Sequence, residues 1–103
     1  MPAPAAVIAA AQERFADTLG ELEALVRIPS VSAAGFDPAQ VGQSAEASAS
    51  LLSGLGLEGV ELLRIGDSPP YVVGEFRGAG RDAPTALLYA HHDVQPPGRE
   101  DHW

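Results

Sequence analysis

Thr85-Ala86-Leu87-Leu88-Tyr89-Ala90-His91-His92-Asp93-Val94-Gln95-Pro96-Pro97-Gly98 is the stretch of this chain with the clearest pattern. Its apolar run, residues 86–90, ends at His-His-Asp, and a Pro-Pro-Gly turn follows directly. An uninterrupted apolar run predicts a strand that is buried on both faces, as in a parallel sheet. Ligands of open α/β folds bind just beyond the carboxyl ends of such strands, so residues 91–93 are candidate site residues.

His91 and Asp93 form the central pair of this candidate site. Side chains alternate along a strand, so these two share one face while His92 and Val94 lie on the other. An imidazole and a carboxylate so arranged suit a metal ligand and the acid that orients it. On spacing alone, a plain hydrogen bond where a strand meets a loop is the commoner outcome, because His-x-Asp is a short pattern. The metal site is favoured by the rigid turn that follows and by the position of all three histidines within residues 91–103.

Two stretches together resemble a known family. Residues 89–98, Tyr-Ala-His-His-Asp-Val-Gln-Pro-Pro-Gly, closely resemble the first metal-ligand motif of the co-catalytic zinc exopeptidases of family M-20. The Asp-Val-Gln-Pro-Pro-Gly continuation looks most like the dipeptidase branch. Residues 25–32, Leu-Val-Arg-Ile-Pro-Ser-Val-Ser, are similar to a second signature of the family, at the end of its first helix. The resemblance covers essentially the whole chain, which matches the start of the family's catalytic domain.

The resemblance implies a sheet flanked by helices, with two zinc ions at the strand ends; manganese or cobalt could replace zinc. By position, His91 matches a ligand of one zinc, and Asp93 matches the acid that hydrogen-bonds and orients that histidine. His92 occupies the variable middle position and is not expected to bind metal. In the family, the two metals polarise the scissile carbonyl and activate a bridging water, while a glutamate acts as general base.

The family's remaining ligands, its general base and its lid domain would all lie downstream of Trp103. One histidine cannot hold a catalytic zinc, which ordinarily takes three protein ligands. The resemblance therefore implies that residues 1–103 are the N-terminal portion of an incomplete catalytic domain, inactive alone, and that the complete enzyme is a candidate homodimer. The expected substrates are dipeptides. The alternatives are a deacylase of the same family that acts on N-acyl amino acids, and a non-catalytic folding or interaction module.

Composition excludes several other classes of protein. Fourteen acidic residues against six basic ones give a net charge of -8 and a pI near 4.5. This balance argues against nucleic acid and anionic membranes as partners, since both require a basic surface. The absence of cysteine excludes disulfides and thiolate zinc sites, and it is compatible with the cytoplasmic location that we expect. Residues 3–11 are apolar but lack the basic region of a signal peptide, and they are too few to span a membrane.

Hydrophobic periodicity predicts an α/β fold with two helices followed by a mixed sheet. Apolar residues at three- and four-residue spacing predict a first helix from about Ala3, which Pro29 ends by Ile28. Asp37-Pro38-Ala39-Gln40 has the cap and proline of a second helix start, and we expect that helix to reach about Ser53. Val41, Ala45, Ala49 and Leu52 are its predicted inward residues. Strands are predicted at 60–65, 71–77 and 86–90, and the short gap between the last two favours their antiparallel pairing.

Two further patterns are interpreted as structural. Residues 54–59, Gly-Leu-Gly-Leu-Glu-Gly, satisfy the dinucleotide pattern G-x-G-x-x-G, which requires a strand before it and a helix after it. Here a predicted helix precedes it and a predicted strand follows, so a helix C-terminus is the better interpretation. Ser30 and Ser32 are possible nucleophiles, but no G-x-S-x-G motif surrounds them and turn or cap roles are preferred.

Overall fold

The protein is described here by a computed structural model that covers residues 2–78 and 80–102. Within these residues the elements in chain order are α1 (Ala5–Glu13), α2 (Phe15–Val26), α3 (Pro38–Gly54), β1 (Glu58–Leu63), β2 (Tyr71–Glu75) and a short 3-10 helix, Glu100–His102. The prediction of a mixed helix-and-strand chain, with helices first and strands after them, is confirmed. Met1, Ala79 and Trp103 lie outside the described residues.

The predicted first helix is divided in two at Arg14. This residue has φ -90° and ψ 0°, in the bridge region between the regular conformations. Backbone bonds from Arg14 N–H to the Ala10 carbonyl (3.1 Å) and from Thr18 N–H to the Arg14 carbonyl (2.9 Å) nevertheless span the interruption. As predicted, α2 ends ahead of Pro29, with Arg27 as its C-cap. Neither α1 nor α2 contains a buried residue, so their apolar stripes face solvent.

Helix α3 begins and ends with recognisable capping structures. The Asp37 carboxylate accepts a hydrogen bond from Ala39 N–H at 3.0 Å, and Pro38 is the first helical residue, as predicted. At the other end, Gly56 adopts φ +86°. Its N–H bonds to the Ser53 carbonyl (3.0 Å), and the next N–H bonds to the Leu52 carbonyl (3.1 Å), which together form a Schellman motif. The glycines of residues 54–59 therefore join a helix to β1, the reverse of the order in a dinucleotide site.

The sheet in the described part of the chain has two strands and differs from the predicted one. β1 pairs with β2 in antiparallel register, with Glu61 opposite Val73 and Leu62 opposite Val72, and the register shifts between Glu58 and Glu61. The predicted mixed sheet is therefore wrong for these residues, as is the pairing of 71–77 with 86–90. β1 and β2 are consecutive strands joined by a short connection, and the other edge of β2 has no strand partner among the described residues.

The prediction of a buried strand at 86–90 is also wrong for this structure. Leu87, Leu88 and Tyr89 are 92%, 92% and 88% exposed, and the segment forms neither strand nor helix. A strand that is apolar on both faces is stable only between neighbouring strands and under covering helices. The described residues supply neither, so this apolar run remains exposed and without a strand partner in this structure.

The core is small and lies where α3 meets the segments that carry the candidate site. Its buried apolar residues are Val31, Val41 and Ala45, and Ser30 and Ser44 are buried with them. Of the four predicted inward residues of α3, Val41 and Ala45 are buried, and Ala49 and Leu52 are half-buried. The surface area of 8564 Å² exceeds the about 5,500 Å² that size scaling gives for a compact protein of this mass. The Cα radius of gyration, 16.5 Å, likewise exceeds the about 13 Å of a compact domain.

Ser30 offers a test of this core. Its hydroxyl is fully buried and has no hydrogen-bond partner among the described residues. A buried hydroxyl without a partner costs about 1–3 kcal/mol, so Ser30→Ala is expected to raise the free energy of unfolding by about 1 kcal/mol. Urea denaturation measures the change, and the exposed Ser53→Ala is the control, expected to stay within about 0.5 kcal/mol of wild type. A clear loss of stability in Ser30→Ala would show that this hydroxyl has a partner.

Candidate functional site

The candidate site forms where residues 91–94 lie beside residues 30–32. Val94 N–H donates to the Ser30 carbonyl at 3.2 Å, and Val31 and Val94 form an isolated parallel bridge. These contacts join the loop after α2 to the segment that carries both candidate histidines. The two stretches singled out in the sequence, far apart along the chain, are thus neighbours in the structure.

The His91 ring is oriented by Asp93. Its Nδ1 lies 3.0 Å from Asp93 Oδ1 and 3.0 Å from the Asp93 backbone carbonyl oxygen. A carboxylate and a carbonyl only accept hydrogen bonds, so Nδ1 carries the hydrogen of the neutral ring. Nε2 then holds the lone pair, and no hydrogen bond from the described residues reaches it. The His91 side chain is 67% exposed, so this lone pair is accessible to a metal ion.

Asp93 is held on its other side by Ser32. The Ser32 hydroxyl donates to Asp93 Oδ2 at 2.6 Å, so the two carboxylate oxygens are divided between a serine and a histidine. The Ser32 bond is the main cause that lowers the pKa of Asp93 below its ordinary value; partial burial opposes it, and the His91 bond lowers the pKa further. Asp93 is therefore held as a carboxylate, the form that can accept the His91 hydrogen.

Removal of the Ser32 hydroxyl is expected to raise the pKa of the Asp93 carboxyl towards its ordinary value. In wild type, the Asp93 carboxyl has a lower pKa in the folded state than in the unfolded state. This difference stabilises the fold at pH values above the unfolded-state pKa, and the stabilisation is lost as the pH falls through the folded-state pKa. Ser32→Ala should therefore lose stability most at neutral pH and little in strong acid. Carbon-13 NMR titration of the Asp93 carboxyl measures the pKa directly, with Ser68→Ala, in another loop, as control. An unchanged Asp93 titration would contradict the assigned cause.

His92 points the other way and is engaged at both ring nitrogens. Nε2 lies 3.0 Å from the Pro70 carbonyl oxygen, which only accepts, so Nε2 carries a hydrogen. Nδ1 lies 3.1 Å from Ser44 Oγ, and the same hydroxyl donates to the His92 backbone carbonyl at 2.6 Å. Neither nitrogen is free for a metal in this arrangement. The two adjacent histidines therefore have different surroundings: both His92 nitrogens face polar atoms of other residues, whereas His91 contacts Asp93 through Nδ1 alone.

The serine-nucleophile alternative gains no support from these contacts. Ser44 and His92 are separated by the distance of a nucleophile and its base, but Ser44 is fully buried and its hydroxyl is directed at a backbone carbonyl. Ser32 donates to a carboxylate, and Ser30 is buried. No substrate carbonyl could reach Ser44 or Ser30 in this arrangement.

A groove of about 160 Å³ borders Ser32, and the core residues Val31 and Val41 contribute to its lining. It lies between loop 31–38 and loop 64–70, and Phe36, Arg64 and Asp67 are among its lining residues. A cavity of about 150 Å³ accommodates a molecule the size of benzene, so one small side chain or terminal group would fit. Arg64 and Asp67 bring one charge of each sign to this groove.

Ser32, Ser44 and Pro70 belong to the site but were not predicted as site residues. Ser32 is interpreted from the sequence as a turn or cap residue, and Ser44 lies within the predicted second helix without a predicted role. A usable signal was present for Ser44, because it shares a helix face with Val41 and Ala45, and a polar residue on a buried stripe requires a partner. The Pro70 contact uses a backbone carbonyl and carries no side-chain signal.

Two general features of residues 2–78 and 80–102 bear on metal binding and on membranes. These residues contain no group of three or more His, Cys, Asp or Glu side chains that could together hold a metal ion. None of their helices combines the length and apolar character needed to cross a membrane. Comparison of the chain with protein-family models, curated proteins and solved structures gives no match.

Proposed function

We propose that this chain contributes one metal ligand, and the acid that orients it, to a metal-dependent hydrolase of the M-20 type that cleaves dipeptides. The observation that carries the proposal is the arrangement of His91, whose Nδ1 hydrogen is held by Asp93 and whose accessible Nε2 has a lone pair. Metal-binding histidines commonly donate their second ring N–H to a carboxylate in this way.

The described residues can supply one ligand of a metal ion but not a complete metal site. His91 offers a neutral imidazole nitrogen at the surface, and Asp93 fixes its tautomer and raises its basicity. When bound, the metal ions would supply Lewis acidity and an activated water. Because a catalytic zinc takes three protein ligands, the proposal requires further ligands from polypeptide outside residues 2–78 and 80–102. The exposed apolar segment 86–90 supports the same requirement, since more polypeptide would be needed to bury it.

The groove beside Ser32 supports a small polar substrate. It adjoins the residue that binds Asp93, and its Arg64 and Asp67 could meet the carboxylate and ammonium ends of a short peptide. The acidic surface of the chain does not favour a polyanionic substrate.

The protein isolated from its natural source under metal-retaining conditions provides the test. We expect a native mass above 10.7 kDa, two bound transition-metal ions and hydrolysis of dipeptides that a chelator abolishes. Residues 1–103 alone, supplied with zinc or manganese, are expected to show no turnover. Faster hydrolysis of N-acyl amino acids than of dipeptides would assign the protein to the deacylases. A native protein that binds no metal and hydrolyses neither substrate would refute the proposal.

A further inference from the structure

We infer that His92 is a positioning residue, which with Ser44 sets the geometry of the His91–Asp93 pair without binding metal itself. The inference rests on the proposed function for its relevance to metal, but its physical basis lies in contacts that need no metal. Three separate parts of the chain converge on residues 92–94: helix α3 through Ser44, the loop before β2 through Pro70, and the loop after α2 through Ser30.

These contacts fix both peptide groups that flank Asp93. The first contains the His92 carbonyl, which accepts the Ser44 hydroxyl hydrogen at 2.6 Å. The second contains the Val94 N–H, which donates to the Ser30 carbonyl at 3.2 Å. The carbonyl of this second peptide group is the Asp93 oxygen that lies 3.0 Å from His91 Nδ1. The orientation of the second peptide group therefore sets the distance from the His91 ring to the Asp93 carbonyl oxygen, while the Ser32 hydroxyl holds the carboxylate that is the other acceptor.

The His92 side chain adds a second restraint to the first peptide group. A single Ser44 hydroxyl contacts both the backbone carbonyl and Nδ1 of His92, so it fixes the ring relative to its own backbone. The bond from Nε2 to the Pro70 carbonyl then fixes the other end of the ring. These contacts hold the His92 ring inward. Because side chains alternate along an extended segment, the side chains of residues 91 and 93 then point outward. Ser44 is fully buried, so water does not readily replace these bonds.

The test compares the 103-residue chain with three variants by nitrogen-15 NMR of the histidine rings at alkaline pH, without metal. Ser44→Ala and His92→Ala are expected to shift the His91 ring from a single Nδ1–H tautomer to a mixture. Ser50→Ala is the matched control, because Ser50 lies on the same helix and its exposed hydroxyl donates to the Glu46 carbonyl. His92→Gln keeps a donor that can reach the Pro70 carbonyl, so we expect it to restore part of the wild-type signal relative to His92→Ala.

A titration of the same samples with Zn²⁺ gives the second readout. We expect Ser44→Ala and His92→Ala to weaken binding at the His91 ring by about 10-fold, at the lower end of the effects of residues that support a ligand. Unchanged His91 tautomer and unchanged Zn²⁺ affinity in both variants would overturn the inference and leave His92 a purely structural residue. A tautomer change in both variants with no Zn²⁺ binding in wild type would support positioning on the first readout alone, while the proposed function is tested separately on the native protein. If Ser44→Ala or His92→Ala unfolds, the His92→Gln variant provides the test. This variant lacks the contact between His92 Nδ1 and Ser44, so a wild-type His91 tautomer in it would overturn the role of that contact.

Discussion

Replacement of His91 by alanine in the complete hydrolase that we propose is expected to lower its affinity for Zn²⁺ by more than about 100-fold, because loss of a ligand should exceed the about 10- to 100-fold effect of losing its supporting residue. The side chain that is removed carries the exposed Nε2 lone pair, and the neighbouring His92 has both nitrogens engaged and cannot replace it. Isothermal titration with Zn²⁺, combined with NMR of the histidine rings, measures the change. The fold should persist, since His91 is exposed.

Two further variants serve as comparisons for the His91→Ala measurement. His102→Ala removes another exposed histidine, in the short 3-10 helix, and should leave the affinity at position 91 unchanged. Asp93→Asn keeps the shape of the acid but removes its charge, and should cost about 10- to 100-fold in affinity. Equal losses in His91→Ala and His102→Ala would indicate nonspecific binding to surface histidines. No loss in His91→Ala would remove the main support for a metal site.

The second large effect is expected from the double variant Leu87→Asp/Leu88→Asp. In this chain both side chains are 92% exposed, so the free energy of unfolding should change by less than about 0.5 kcal/mol. Hydrophobic dye binding and self-association should fall sharply, because an exposed apolar segment without strand partners is a site of aggregation. Dye fluorescence and analytical ultracentrifugation measure these changes.

In the complete hydrolase that we propose, the same two substitutions should have the opposite consequence. A strand buried on both faces cannot accept two aspartates, since burial of each unpaired polar group costs several kcal/mol, and the enzyme should fail to fold. Leu55→Asp is the control in both proteins, because Leu55 is 49% exposed, caps α3 and lies outside the segment. Normal folding and activity of the doubly substituted native protein would contradict a buried strand at 86–90.

Local signals predicted local structure well. The start of α3 followed from Asp37 and Pro38, and its end from the glycines at 54 and 56, because caps depend only on a few neighbouring residues. The bounds of β1 and β2 were displaced by up to two residues from the predicted strands. The division at Arg14 carried no proline or glycine signal, and the sequence offered no means to predict it.

Non-local structure was predicted less well, for a physical reason. The apolar run 86–90 has the composition of a central strand, but composition cannot supply the neighbours that such a strand needs. The contact between His91 and Asp93 was predicted from a spacing of two residues and is present. The contacts of Ser32, Ser44 and Pro70 with residues 92 and 93 join distant parts of the chain, and no local pattern could indicate them.

His91 is exposed whereas His92 is held against Ser44, so insertions and deletions near this pair should differ in their effect according to their position. Removal of Asp93, the one residue between His92 and Val94, would delete the acceptor of the His91 hydrogen and would make the side chains after His92 exchange faces. The exposed segment that precedes His91 makes no comparable contacts in this structure, so an added residue at 85–88 would leave the anchored peptide groups in place. In this isolated chain, insertions should thus be tolerated just before the two histidines and not just after them.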